Sequence, residues 1–426
     1  MTAAKRIESV EGLRLLLDGQ EVGILTHYSG GKNIVVFSPD YIALAKTARN
    51  TFTMTQLANE AYLSKPLISA QRLPPVLSNL LPEGALRDWM ALSLKVHVEN
   101  EFPLIAHMGK NLPGALQVEP ISAGNVPSWA LDHREQVEAV QLDVEHGQGK
   151  FSLAGVQMKF SSVKNKDGRF NIGQDGNNTN GEHSWIIKTP STVHKYVPYN
   201  EYTAMKLAEA VGIDIPEIKL VELTQLDNLP DIQLPNEVHA YAIKRFDRQA
   251  EQRIHTEDFA QVFQLYAHEK YKKVNYEQIA DALYRFSSQG LKDVQQMARR
   301  LLVNILLANG DAHLKNWSLI YPDRQRPMLS PAYDIVSTLA YVKGEQEFAL
   351  NMAKNKNWHQ VNMAAFEAWA KRIGVPWQAI KVHLAETLEL ARLHWVPMLT
   401  ELPMHGAQQK ILKTHWQNLH PDFRIK

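Results

Sequence analysis

A chain of 426 residues with a formal net charge of +1 and no cysteine has room for one large core or two to three smaller ones. It offers no global attraction to nucleic acid or anionic lipid, so such contacts must come from local patches, and disulfide scaffolds, thiolate zinc sites and cysteine nucleophiles are excluded. The first dozen residues are polar and mixed in charge, and no window reaches the roughly 18 uncharged apolar residues of a spanning helix, so the expectation is a cytoplasmic protein with no membrane partner.

Residues 13–17 and 22–25 are apolar runs on either side of Asp18-Gly19-Gln20, a hairpin signal, and residues 33–37 form a third strand. After the break at Pro82-Glu83-Gly84, Leu86, Trp89, Met90 and Leu94 mark the apolar face of a helix. A small α+β unit over about residues 10–125 follows from this pattern. Residues 120–150 read as a connector. Residues 151–160 then place a small-residue turn, Ala154-Gly155, before Lys159 and a strand; such a turn lets backbone N–H groups approach a phosphate, although a plain hairpin has the same pattern. Residues 173–181, with Gly176, Asn177, Asn178 and Asn180, read as a polar loop.

The strand of residues 184–188 ends in Lys188, and Asn200-Glu201-Tyr202 opens a helix. A strand lysine followed by a helix with a glutamate in its first turn is the pairing that positions ATP phosphates in kinase-like folds, although Glu201 equally suits the helix dipole. Residues 218–223 and 240–244 are strands, and Arg245-Phe246-Asp247-Arg248 closes the β-rich half. Beyond it, Thr256 is expected to cap a helix over residues 257–265, Asn275 and Gln278 form a capping box, and a long helix from Leu291 has one broad apolar face. Three more helices are expected between residues 359 and 420.

That long helix runs into Asn309-Gly310-Asp311-Ala312-His313-Leu314-Lys315-Asn316, where Gly310 is expected to end it. Asp334 follows two short strands and a turn. One aspartate to take the proton of an attacking hydroxyl, with an asparagine and a later aspartate to hold magnesium on the phosphates, is what phosphoryl transfer needs. His313 has no second histidine at helical or hairpin spacing, so a hydrogen-bonding role is favoured over metal ligation; with Lys315 it is grouped with Asp311 in the catalytic loop.

Together, residues 152–159, Asn200-Glu201-Tyr202, Arg245-Phe246-Asp247-Arg248, residues 311–316 and Tyr333-Asp334-Ile335 resemble the HipA family of bacterial serine/threonine kinases, the toxins of toxin–antitoxin pairs. The resemblance spans nearly the whole chain. It implies an α+β, two-lobed, protein-kinase-like fold: an extra N-terminal α+β subdomain (residues 1–125), a β-rich N-lobe (126–248) and an all-helical C-lobe (249–426). It implies ATP and magnesium as cofactors, with Asp311 as base and Asn316 and Asp334 as metal ligands. ATP contacts fall on Ala154, Gly155, Val156, Gln157, Met158, Lys159, Lys188, Asn316 and Tyr333, with an adenine-side hinge at Lys244, Arg245 and Phe246. Glu201 pairs with Lys188, and Ser152 is the regulatory autophosphorylated serine. The family pattern has glycine after the base, where this chain has Ala312, and an acidic hinge residue where this chain has Lys244.

The implied partners are a helix-turn-helix antitoxin of the HipB type, expected as a dimer, operator DNA through that complex, and a protein substrate such as an aminoacyl-tRNA synthetase, whose phosphorylation arrests growth. Two other readings use the same residues: a small-molecule phosphotransferase, and a co-repressor acting mainly by binding. A helix-turn-helix gene directly upstream discriminates against the small-molecule enzyme.

Overall fold

The computed structural model describes residues 8–131, 137–142, 157–172, 184–230, 232–249 and 252–426. Ser152, Ala154, Gly155, Val156 and the loop of residues 173–181 lie outside the described residues. The chain groups into two compact units: residues 1–151, 252–268 and 320–327 form the first, and residues 152–251, 269–319 and 328–426 the second.

In the first unit, strands β1 (Glu8–Leu17) and β2 (Gln20–Tyr28) form the expected hairpin. Asp18 and Gly19 at its tip have φ of +49° and +77°, the positive pair whose twist matches the flanking strands. Strands β3 (Lys32–Phe37), β4 (Leu67–Ala70) and β5 (Leu116–Ile121) complete the order β4-β3-β2-β1-β5, and β6 (Val137–Ala139) runs parallel to β1. Leu13, Leu15 and Leu17 alternate along β1, as a half-buried strand requires, and share a core with Val35, Phe37, Met90 of helix α1 (Gly84–Ser93) and Phe102 of α2 (Glu101–Met108). Val126 and Ala130 pack on Ile24 and Ile121 of this sheet, so residues 126–131 group here and not with the expected N-lobe.

Two later segments also belong to the first unit, which differs from the expected three-part division. The physical reason is a buried carboxylate. Glu257 accepts from Thr53 Oγ1 at 2.8 Å, the Met54 N–H at 2.6 Å and the Tyr321 hydroxyl. Thr256 and Glu257 therefore lie in a strand, His255–Asp258, and the short helix Phe259–Val262 is capped by Asp258 in a box with Gln261, two residues later than expected. His255 is also buried and bonds the Phe52 carbonyl at 2.9 Å.

The second unit holds a six-stranded sheet of order β10-β12-β9-β7-β8-β11. Its strands are β7 (Lys159–Lys164), β8 (Phe170–Ile172), β9 (Trp185–Lys188), β10 (Ile218–Glu222), β11 (Leu226–Asp227) and β12 (His239–Lys244). Helix α3 (Val197–Ala210) begins three residues before Asn200, because Pro198 suits the first turn of a helix. Glu201 thus falls beyond the first turn, and the dipole reading of it lapses.

The helical part comprises α4 (Tyr276–Phe286), α5 (Gly290–Leu306), α6 (Met363–Arg372), α7 (Trp377–Glu401) and α8 (Gly406–Asn418). The Asn275–Gln278 capping box is present. This part is not wholly helical: Glu347–Met352 and Asn355–Asn357 form an antiparallel pair. Trp395 of α7 donates to the Leu207 carbonyl of α3 at 2.8 Å, joining helical part to sheet part. No helix among the described residues is long and apolar enough to cross a membrane.

Burial pushes the Glu257 carboxyl up to about 7, against hydrogen bonds that lower it. A raised carboxyl favours the folded state most below the unfolded value of about 4.5 and loses that advantage as pH rises through 7. Wild type is therefore expected to lose on the order of 3 kcal/mol between pH 4.5 and 8 from this group, and Glu257→Gln to flatten that loss. Denaturant titrations of both proteins at pH 5 and 8 check this; equal pH dependence would contradict it.

Candidate active site

The second unit brings most of the singled-out residues together, beginning with the end of α5. The helix stops at Leu306 because Ala308 adopts a left-handed φ of +51°. The Ala308 N–H then bonds the Ile305 carbonyl at 3.2 Å and the Asn309 N–H the Asn304 carbonyl at 2.9 Å, a Schellman-like closure with alanine in the glycine position. His415 and Trp416 of α8 donate to the Ile305 and Leu306 carbonyls at 2.7 and 2.8 Å. Gly310 does not end the helix. It is glycine because a Cβ would lie 2.2 Å from Glu345 Oε1 and 2.9 Å from the Glu347 carbonyl.

Asp311 is thereby presented with a side chain 45% exposed. Its N–H donates to Asn309 Oδ1 at 3.0 Å, and Asn316 Nδ2 donates to its carbonyl at 2.7 Å. That leaves the Asn316 amide oxygen as the ligand-capable atom. His313 is buried with Nε2 3.8 Å from Asp311 Oδ1, and the Tyr271 hydroxyl donates to the same oxygen. The Ala312 carbonyl accepts from Tyr276 and Trp317 at 2.9 and 3.1 Å. Tyr333 Oη donates to the Lys315 carbonyl at 2.8 Å, so the loop is fixed from several sides.

Facing this loop is a cluster of four charges. Lys188 at the end of β9 is inside the protein, its side chain 5% exposed, and its ammonium donates to both Glu201 of α3 and Asp334. Asp334 also accepts from Lys159 at 3.1 Å; Lys159 and Lys188 are cross-strand neighbours in β7 and β9. Burial alone would raise the Asp334 carboxyl, but Lys159 and Lys188 hold it well below the usual carboxylate range. Burial likewise opposes the Lys188 charge, and Asp334 and Glu201 overrule it. Asp334 has φ of +54°, a left-handed conformation that aspartate tolerates better than most residues. Asn200 supports it: its amide takes the Ser337 N–H at 2.9 Å and gives to the Ser337 carbonyl at 3.2 Å.

A cavity of about 10 Å³, room for roughly one water, lies beside the loop, with Arg300, Asn309, Asn316, Tyr333 and Asp334 among its lining. One carboxylate and one amide oxygen beside it are hard donors of the kind magnesium takes when phosphates complete its shell. Among the described residues, no group of three or more metal-ligating side chains forms a closed cage.

At the expected hinge, Arg245 is turned away. It forms a two-point pair with Asp247 at 2.9 and 2.7 Å, Arg248 joins the same carboxylate at 2.9 Å, and all three side chains are buried. The Lys244 and Arg245 N–H groups already serve the Glu217 and Ser184 carbonyls, and the Lys244 side chain is half exposed. Those two N–H groups and the Arg245 guanidinium are therefore already committed within the protein. The Phe246 ring packs against the Tyr333 ring, 5.6 Å between centroids. Gln157 and Met158 precede β7, and the Met158 carbonyl accepts from the Thr189 N–H at 2.9 Å.

Fold and constellation together define the kinase-like class: a sheet lysine paired with a helix glutamate, opposite a loop carrying Asp and Asn and a later Asp. The chain matches the model of the HipA N-terminal domain over residues 13–119 and that of the HipA-like C-terminal domain over residues 151–395. It is 39% identical over 407 residues to a Sinorhizobium fredii protein named Putative kinase Y4dM, covering 95% of this chain and 96% of that protein. It is 26% identical over 339 residues to the serine/threonine-protein kinase toxin HipA of Shewanella oneidensis, covering 72% and 73%. In structure it resembles a chain of a Shewanella oneidensis complex of HipA, HipB and operator DNA, with a TM-score of 0.69, 19% identity and 95% of each chain covered. The chain belongs to the HipA family.

Burial gives Lys188 a structural share besides any contact with phosphate. A strand-end lysine that only touched phosphate could be removed without structural cost, whereas this one neutralises two carboxylates. Lys188→Met is expected to destabilise the second unit by about 3 kcal/mol, and Lys188→Met with Glu201→Gln to recover most of that loss without restoring nucleotide binding. Melting curves beside nucleotide titrations decide it; a Lys188→Met protein as stable as wild type would contradict the buried-cluster account.

Proposed function

We propose that this chain is an ATP- and magnesium-dependent serine/threonine protein kinase that acts as the toxin of a toxin–antitoxin pair. The observation that carries the reading is the Lys188–Glu201–Asp334 cluster standing in one unit with the Asp311–Asn316 loop, in a member of the HipA family.

Each residue has a role that its surroundings suit. Asp311, exposed at the end of a firmly closed helix, accepts the proton of the acceptor hydroxyl. Lys188 and Lys159 supply positive charge where the phosphates of ATP lie, and Glu201 keeps Lys188 in place from behind. Asp334 and the Asn316 oxygen would hold magnesium, which when bound supplies charge that the developing γ-phosphoryl anion needs. Gln157 and Met158, with Ala154, Gly155 and Val156 outside the described residues, form the phosphate-side loop of this reading; Phe246 and Tyr333 form its base-side wall. His313 and Lys315 support the catalytic loop. Ser152, also outside the described residues, is the autophosphorylation site. A phosphate there adds about −1.5 to −2 charge beside that loop and switches the enzyme off.

The partners of the reading are a HipB-like antitoxin, operator DNA reached through it, and a protein acceptor of the translation machinery. They follow from family membership, with the Shewanella complex as an analogue in kind. Phosphoproteomics of cells expressing wild type or Asp311→Ala identifies the acceptor.

Asp334→Asn and Asn316→Ala are expected to lower phosphoryl transfer about 100-fold or more while remaining folded, by analogy with the loss of a single electrostatic catalytic group, and EDTA is expected to abolish it. Retention of near wild-type transfer by Asp334→Asn would remove the magnesium assignment. Incubation with magnesium and ATP followed by intact-mass and peptide mapping should place one phosphate on Ser152 in wild type and none in Asp311→Ala; unmodified Ser152 in an active protein would remove the regulatory assignment alone.

A further inference from the structure

Tyr271 belongs to none of the motifs that mark the site. It stands on the turn of residues 269–273 ahead of α4 and is 42% exposed. Its hydroxyl donates to Oδ1 of Asp311, and its ring meets the His313 ring edge-on, 5.0 Å between centroids at 83°. The turn is tied to the catalytic loop a second time, through the Leu314 N–H and the Lys270 carbonyl at 3.3 Å.

A general base must accept a hydrogen bond from the acceptor hydroxyl before it takes that proton. Here a phenol already makes such a bond to the carboxylate. The loop around Asp311 is fixed by other means, since Asn309 and Asn316 hold the Asp311 N–H and carbonyl. A residue whose task was to orient Asp311 would add little to that, and would be better placed inside the protein than on an exposed turn.

We propose, on the strength of the kinase reading above, that Tyr271 is a built-in acceptor mimic: its hydroxyl takes the place of the acceptor hydroxyl on Asp311, and a serine or threonine substrate must displace it. The contact sets a threshold for acceptors. A hydroxyl presented by a docked protein, with binding surface elsewhere, displaces the phenol, while a short peptide or a stray alcohol competes poorly. No bond is made to Tyr271 in this scheme; it exchanges one hydrogen-bonded hydroxyl for another.

The test uses the full chain with magnesium, ATP and a degenerate serine/threonine peptide pool. Tyr271→Phe keeps the ring against His313 and removes only the oxygen. A hydrogen bond to a charged but half-exposed group predicts about a fivefold fall in KM for the peptide pool, with KM for ATP unchanged. An unchanged or higher peptide KM, or a fall in kcat of the kind a positioning residue gives, overturns the proposal. A readout independent of turnover is acetylation of Tyr271 by N-acetylimidazole, followed by peptide mapping. Tyr271 should react faster in Asp311→Ala than in wild type, and equal rates overturn the contact. Wild type that phosphorylates nothing while Tyr271 is shielded removes the kinase reading and this proposal with it. An active wild type matched by Tyr271→Phe removes this proposal alone.

Discussion

Lys188, Glu201, Asp334 and Lys159 come from strand, helix, loop and strand, and meet as two ammoniums and two carboxylates in the second unit. Lys188 and Glu201 are buried and Asp334 mostly so, and such charges persist only in pairs, because each one left alone carries a desolvation penalty of several kcal/mol, while the half-exposed Lys159 joins them from the solvent side. The geometry around them follows from that constraint. Asp334 accepts a left-handed backbone to reach Lys188, Asn200 clamps the chain three residues on, and β7 and β9 run side by side so that their lysines share one carboxylate.

The same balance gives the cluster its chemistry. Glu201 is enclosed behind Lys188, whereas Asp334 is one-fifth exposed and borders the cavity that Asn316 also lines. On the proposed kinase reading, a polyanionic ligand beside the cluster competes with Asp334 for Lys159 and Lys188, because that carboxylate already engages both ammoniums.

Much of this is legible in the amino-acid sequence. The strands, the capping box at Asn275 and the apolar face of α5 follow local periodicity, and the spacing of Asp311, Asn316 and Asp334 carries its own chemical logic. What is not legible depends on contacts far apart in the chain. Nothing near Thr256 indicates that Glu257 is consumed by Thr53 and Tyr321, so a plausible helix cap is in fact a strand. Arg245 reads as a hinge residue, yet Asp247 occupies its guanidinium and Arg248 shares that carboxylate. Gly310 resembles a helix stop, yet Ala308 provides the stop and the glycine answers to Glu345, thirty-five residues later. Tyr271 carries no signal at all in the sequence, being an ordinary tyrosine among lysines.

The first unit is discontinuous, and that has a bearing on how the protein is made. On a ribosome, residues 1–151 emerge early, but Glu257, Gln261 and Leu265, which bond Thr53 and Met54, Val76 and Asn79, follow about a hundred residues later, and Tyr321, which bonds Glu257, arrives only as translation nears residue 327. At about 5–20 residues per second, the wait runs from roughly five seconds for the first of these segments to roughly ten seconds or more for the second. During that interval the first unit lacks its last segment, and the loop of Asp311 and Asn316, which precedes residue 320, is synthesised before that unit can close.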